Sequence, residues 1–281
     1  MHTPVLLEQV LTHLDIKPGM KIVDATFGEG GHTQALLNLG ASVLAIDADE
    51  EQIKRFINTN KDTVSNKKLH LVLGNYADIA EIAKQNHFDK VDAVLFDLGL
   101  SMNQMYHGEG FSYQFPLQPL NLVIDSQAKQ KGAARAAEVV TEYDEQRLTN
   151  ILMKYGELKR ASDIARAIVR YRSAHEIKTV GDLLTSLEGT LYSNEQAALF
   201  QALRIEVNQE YEQITKGLEG AIEILGVGGK LAVITFHSGE DRVVKLWARK
   251  KELKELVRVR GSQVSDKSFE RSSILRIYVQ S

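Results

Sequence analysis

Cysteine is absent from the 281-residue sequence. That excludes disulfides, thiolate metal sites and a cysteine nucleophile. No apolar run reaches the ~18 residues that a membrane-spanning helix needs. The opening MHTPVLLEQVLTHL has an acid inside its apolar part and no basic lead, so it does not read as a signal peptide. A cytoplasmic protein is expected, and a membrane is not an expected partner. Internal repeats and low-complexity segments are missing too. Positive charge is in deficit: 34 Lys and Arg against 37 Asp and Glu give a net charge of −3. Nucleic-acid binding would therefore have to rest on local basic patches. One patch runs from Arg147 to Arg172. A second runs from Arg242 to Arg260, where eight Lys and Arg stand against only Glu252 and Glu255. Each reads equally well as a solvated helix face.

What remains is an ordinary globular composition, 43% hydrophobic and 25% charged. The first hundred residues alternate strands (KIVDAT, SVLAID, KLHLVLGNY, VDAVLFD) with helix-period segments. This βαβαβαβ pattern predicts a parallel sheet covered by helices on both faces. After the aromatic and glycine-rich loop MYHGEGFSYQF the segments turn helical for over a hundred residues. They end in one long helix from about Asn194 to Leu225, for which Ser193 and Gln196 have capping-box spacing. The glycine turn of GVGGKLAVITFHS then feeds a fifth strand, and LVRVRG with SSILRIYV reads as a terminal antiparallel hairpin. The expectation is an α/β domain of residues 1–105 plus 217–281, with a helical insertion, 106–216, between strands 4 and 5.

In an open α/β sheet, ligands lie beyond the carboxyl ends of the strands. DATFGEGGH falls there, and Gly28, Gly30 and Gly31 would let the backbone approach a ligand closely. Asp47 ends the second strand, the place of an acid that bonds ribose hydroxyls. Tyr76 follows the third strand, where a side chain could border an adenine. Asp97 ends the fourth. The dinucleotide fingerprint G-x-G-x-x-G is not met, because Thr33 occupies its third glycine position, and Glu29 would repel a pyrophosphate. A nicotinamide oxidoreductase is thus the weaker alternative. An adenosine ligand bearing a sulfonium fits the carboxylates, and the glycine turn, fifth strand and hairpin are similar to those of S-adenosylmethionine-dependent methyltransferases.

The missing cysteine also narrows the chemistry, since methylation of a pyrimidine carbon needs a covalent nucleophile, normally a thiolate. Direct transfer to nitrogen or oxygen remains. An exocyclic amine such as cytosine N4 is a poor nucleophile and needs acceptors for its hydrogens. Asp97 with the carbonyl of Leu98 suits that task, unless Asp97 only caps the next turn. His237, past the fifth strand, reads as part of the substrate face or as a group satisfying the backbone, with Ser238 and Asp241 capping the following helix. Phe111 and Tyr113 could stack on a flipped base or pack in the core. No histidine–carboxylate metal spacing is evident, and no metal is expected.

The motifs HTPVLLEQVL, DATFGEGGHT, FDLGLS-x-x-Q, GFSY, YGE, IARAIV, FQALRIEVN and TFHSGEDRVVK occur in the order and spacing of a known family. In them the chain resembles the bacterial small-subunit ribosomal RNA cytosine-N4-methyltransferases over essentially its whole length. The resemblance implies a class I, Rossmann-like methyltransferase fold with a helical insertion, S-adenosylmethionine as cofactor, and a decoding-centre cytosine of 16S ribosomal RNA as target. It implies the small ribosomal subunit as partner; a second copy of the chain is a further candidate. Cofactor contacts carry over to Gly30, Gly31, His32, Asp47, Tyr76, Asp97 and Gln104. His32 is expected to offer its backbone rather than its ring. Asn121, Arg204 and Ser238 join Phe111 and Tyr113 as substrate-side candidates, although Arg204 and Asn208 share a helix face and could serve structure instead. Departures gather away from the cofactor motifs. The family's proline–leucine–aspartate–methionine–arginine–methionine run is Pro119 to Ile124 here, with Asn121 for the acid and Val123 for the base. An arginine before the GFSF-like motif is Glu109, residues 194–199 lack the family's arginine, and Met102 and Asn103 alter the DLG motif. These changes leave room for a shifted RNA substrate or a non-catalytic S-adenosylmethionine- and RNA-binding assembly factor.

Overall fold

The computed structural model describes residues 4–265, 267 and 270–280; His2 of the opening motif lies outside them. The chain divides into two compact units, residues 1–101 with 211–281, and residues 102–210.

The first unit opens with α1 (Leu7–Leu14), which buries Val10 and Leu14 at i, i+4 spacing and stops at Asp15 in a left-handed conformation. Then come β1 (Lys21–Asp24), α2 (Gly31–Asn38), β2 (Ser42–Asp47), α3 (Glu50–Thr59), α4 (Lys61–Val64), β3 (Leu69–Leu73), α5 (Ile79–Gln85) and β4 (Val91–Asp97). The four strands pair in parallel. β1, β2 and β4 are apolar almost throughout because both faces are covered. Alternate residues feed two cores: Val23, Leu44 and Val94 on one face, Ile22, Val43 and Ala93 on the other.

The second unit is helical: α6 (Met102–His107), α7 (Ser126–Gln130), α8 (Ala136–Glu142), α9 (Glu145–Gly156), α10 (Ala161–Arg172), α11 (Val180–Ser186) and α12 (Gln196–Asn208). Leu148 and Leu152 of α9, Ile164 and Ile168 of α10 and Leu199 and Leu203 of α12 meet in one core.

The chain returns through α13 (Glu210–Ile224), β5 (Leu225–Thr235), α14 (Ser238–Lys250), β6 (Lys254–Arg260), α15 (Gly261–Val264) and β7 (Ile274–Val279). Strand order is β3-β2-β1-β4-β5-β7-β6, with β7 antiparallel to both neighbours. This is the Rossmann-like α/β sheet with a terminal antiparallel hairpin that the sequence predicts.

Three local expectations change. The helix read as continuous from 194 to 225 breaks at Gln209, whose φ is 49°. Ser193 and Gln196 form no capping box; the Glu195 carboxylate accepts from the backbone N–H of Tyr192 at 3.0 Å instead. The GVGG turn lies inside β5 as a register shift opposite Val91 and Ala93. The anticipated domain limits, 105 and 217, fall within α6 and α13.

Candidate active site

Five strand ends bring the candidates of the first unit to one edge of the sheet. Gly28 to His32 follow β1, Asp47 ends β2, Tyr76 follows β3, Asp97 ends β4, and His237 follows β5. Chain geometry at this edge is held by polar groups. The backbone N–H of Asp97 donates to Thr26 Oγ1 at 2.6 Å, and that of Leu98 to the carbonyl of Ile234 at 3.0 Å. Gly99 has φ 124°, and a Cβ there would lie 2.9 Å from the Phe236 ring, so the residue after Leu98 is restricted to glycine.

Gly30 is equally constrained. Its φ is 79°, and a Cβ would meet Phe27 and Phe56 at under 3 Å. The loop is pinned to the second strand, since Gly28 N–H donates to Asp47 Oδ2 at 2.6 Å. Asp47 Oδ1 accepts from Asp49 N–H at 2.9 Å. Burial raises the pKa of Asp47 to about 7, against the lowering by these two backbone donors. Tyr76 begins a short turn capped by Asn75 and sets its ring edge-on to Phe96, with 5.7 Å between centroids.

Beneath the loop lies a polar cluster that sequence reasoning missed. Asp24, at the end of β1, is fully buried and accepts from Thr33 Oγ1 at 2.7 Å. Burial raises its pKa. The His32 ring is also buried, at 6% exposure, so it does more than offer backbone. Its Nε2 lies 3.4 Å from Asp97 Oδ2. Burial opposes charge on the imidazole, but the carboxylates of Asp97 and Asp24 outweigh it and raise its pKa. Asp97 Oδ1 and both ring nitrogens of His32 are buried with no aligned hydrogen-bond partner among the described residues. A buried acceptor without a donor is costly unless a ligand completes it. An acid closing β1 just before a glycine loop was the available signal for Asp24; nothing local marked Thr33.

His237 resolves into a cap. Its Nδ1 faces the N–H of Glu240 at 3.4 Å, while Glu240 Oε2 accepts from the N–H of Phe236 at 2.7 Å. Its Nε2 lies 3.2 Å from Glu240 Oε1. The Ser238–Asp241 cap does not form, because Asp241 takes a bidentate pair with Arg276 at 2.7 and 3.0 Å. Ser238 opens α14.

The remaining candidates belong to the second unit. Gln104 is buried on α6. Phe111 packs against the helical core, and Tyr113, half-exposed, tilts against Phe200 at 6.0 Å. Asn121 is buried, donating to Glu109 Oε2 at 2.7 Å and accepting from Val123 N–H at 3.3 Å. Arg204 makes a bidentate pair with Glu210 at 2.7 and 3.1 Å. Asn208 bonds Leu122 O and Ile124 N–H at 2.7 and 2.8 Å, which holds the left-handed Leu122.

Chemically, the strand-end edge offers glycine backbone that a ligand can approach, an acid for paired hydroxyls and carboxylates suited to a cation. These residues fit S-adenosylmethionine better than a pyrophosphate. The profile of the MraW methylase family matches residues 1–275. Ribosomal RNA small subunit methyltransferase H of Phocaeicola vulgatus is 39% identical over 253 residues, covering 87% of this chain and 79% of that protein. The proteins of the same name from Methylacidiphilum infernorum and Thermomicrobium roseum are 38% and 39% identical. They match 88% and 89% of this chain, and 78% and 77% of their own lengths.

Proposed function

The chain belongs to the MraW methylase family, and from that premise we propose that it methylates the N4 amine of a cytosine in small-subunit (16S) ribosomal RNA, with S-adenosylmethionine as donor. The observation that carries the chemistry is the buried, unpartnered Oδ1 of Asp97 at the strand-end edge. The target cytosine, near the decoding centre, follows from the resemblance in motifs. The enzyme would act in the cytoplasm on the subunit or its RNA.

Gly28, Gly30 and Gly31 would line the cofactor with backbone, Asp47 would accept from both ribose hydroxyls, and Tyr76 would border the adenine. When bound, S-adenosylmethionine supplies an electrophilic methyl group on a sulfonium. Asp97 Oδ1 accepts an N–H of the amine, which draws the nitrogen lone pair out of the ring and aims it. The same carboxylate would take the proton that the methylated nitrogen sheds. Leu98 would offer its carbonyl to the second hydrogen. His32, beside Oδ2, fixes the carboxylate so that Oδ1 stays turned to the substrate. His237 and Ser238 border this edge as substrate-side residues. In the insertion, Tyr113 keeps exposed ring surface for stacking, and Gln104 stands as a cofactor contact by resemblance. Phe111, Asn121 and Arg204 are engaged in folding that unit and are assigned no substrate contact.

The test is transfer of labelled methyl to small subunits from cells lacking the enzyme, with the product nucleoside identified by mass spectrometry. Asp97→Ala should lower kcat by about 10³-fold, in the range of a lost electrostatic contact plus a lost base, while cofactor binding weakens but stays measurable through the glycine loop and Asp47. Cofactor and RNA binding by the wild-type protein without any turnover would point to an assembly factor and overturn the proposal.

A further inference from the structure

The segment from Arg242 to Arg260 carries eight Lys and Arg against two Glu, a charge of +6. The rest of the chain, with 26 bases and 35 acids by difference, carries −9. The cations sit on exposed positions of α14 and on β6, the edge strand of the sheet. Register fixes where β6 ends. Arg260 pairs with Ile274, which pairs with Thr235; Val259 pairs with Leu275, which pairs with Ile234, the partner of Asp97. Arg260 thus stands one row beyond Asp97 along the strands, three strands away, or ~14 Å at the usual strand spacing.

Val257 and Val259 pack into one sheet core, so Arg258 and Arg260 project from the opposite face, the face of Arg276. Arg276 is 2% exposed and already binds Asp241 through two bonds and Glu255 through a third at 2.5 Å. The acids in reach are therefore committed. Arg258, directly opposite Arg276, and Arg260 have no carboxylate at ion-pair distance among the described residues. Two arginines without an ion-pair partner among the described residues, ~6.8 Å apart as i, i+2 residues of a strand, are matched in spacing and geometry to successive phosphates of a single strand.

We propose that Arg258 and Arg260 on β6 form a phosphate-binding track that holds RNA flanking the target nucleotide. The proposal rests on the reading that the substrate is RNA, and it gives a net-negative protein a local anion site beside its catalytic edge. Phosphate contacts position a nucleic acid without reading its sequence.

The probes are small subunits from cells lacking the enzyme and a short labelled single-stranded RNA titrated across salt concentrations. Arg258→Gln with Arg260→Gln should raise KM for subunits about tenfold, with kcat within about twofold and cofactor affinity unchanged. The slope of log affinity against log salt should become shallower by about 1.4, at about 0.7 per single-strand phosphate. Arg258→Lys with Arg260→Lys should keep most of the slope, and Lys61→Gln with Lys67→Gln, exposed cations elsewhere, should leave it unchanged. Charged edge strands also guard sheets against pairing with other copies. A glutamine variant that self-associates but binds RNA with wild-type affinity and slope would assign the charges to that guard role and overturn the proposal. Unchanged KM and slope in an active, monomeric variant would overturn it as well. A wild-type protein that transfers no methyl yet binds RNA through these arginines would fail the functional reading alone.

Discussion

Polar residues in the two units meet different fates. At the strand ends of the sheet unit, Asp97 Oδ1 is buried without a hydrogen-bond partner among the described residues, while Oδ2 lies 3.4 Å from His32 Nε2. In the helical unit the polar candidates are tied off by one another: Arg204 by Glu210, Asn121 by Glu109, Asn208 by the backbone of residues 122–124. An unsatisfied buried group costs stability, so one lying at the ligand edge marks a place that a ligand can complete. Arg160 Nη1 of the helical unit is also buried without a hydrogen-bond partner among the described residues, and the contrast is one between candidate site residues. A satisfied buried pair needs no ligand. The difference separates chemistry from scaffold more sharply than residue type does, since an arginine and an asparagine in a helical insertion look like RNA contacts until their partners are seen.

The largest effect that would break this contrast concerns Arg204. Its pair with Glu210 is 14% and 11% exposed and spans the helix break at Gln209. Arg204→Ala should destabilise the helical unit by about 3 kcal/mol, because it strands a buried carboxylate. Hydrogen exchange should localise the loss to α12 and to residues 122–124. Arg204→Met with Glu210→Leu should recover most of it, as apolar replacement of a buried pair commonly does. At a temperature where the single variant is folded, its kcat should stay near wild type. A variant of normal stability with a raised KM for RNA would instead make Arg204 a substrate contact.

Much of the sheet unit was legible because its signals are local. Apolar runs closed by Asp47 and Asp97, preceded by a strand that leads into a glycine loop, announce parallel strands and a ligand edge, and each lies where expected. The cluster below that edge was not legible. Asp24 and Thr33 are nine residues apart on different elements, and His32 meets Asp97 only once β1 and β4 are side by side. In the helical unit, apolar periodicity runs unbroken through 209, so nothing in the pattern marks the left-handed Gln209. The spacing of Ser193 and Gln196 matched a capping box that Tyr192 and Glu195 pre-empt. His237 as a cap was hidden because histidine is not a usual N-cap residue.

A middle-sized effect sharpens the sheet side of the comparison. Burial pushes the Asp47 pKa up to about 7, and its ionised form accepts two ribose hydroxyls far better than the protonated one, which turns one oxygen into a donor. Cofactor affinity should therefore be about tenfold weaker at pH 6 than at pH 8, following the ionised fraction. Calorimetry near pH 7 should show proton release on binding. Asp47→Asn should bind weakly at both values and lose the pH dependence. The same shift has the opposite sense for folding: a raised carboxyl pKa favours the folded protein in acid, and that contribution fades as pH rises through about 7.

The smallest effect tests whether the scaffold's departures from its family compensate each other. By the resemblance, the family's run has an acid at position 121 and its GFSF-like motif follows an arginine at position 109, where this chain has Asn121 and Glu109. In the structure these two touch, and Lys129, 2.6 Å from Glu109, supplies the cation that position 109 no longer provides. The Lys129 bond, ahead of that from Asn121, holds the Glu109 pKa below its usual value despite partial burial. Asn121→Asp alone should cost about 1 kcal/mol, because two carboxylates would then share one lysine. Adding Glu109→Arg should restore stability to within about 0.5 kcal/mol, with no change in kcat. Additive losses in urea unfolding of the double variant would mean that the two positions changed independently. In that event the departures would not cancel within the scaffold, and a shifted substrate would regain force as their explanation.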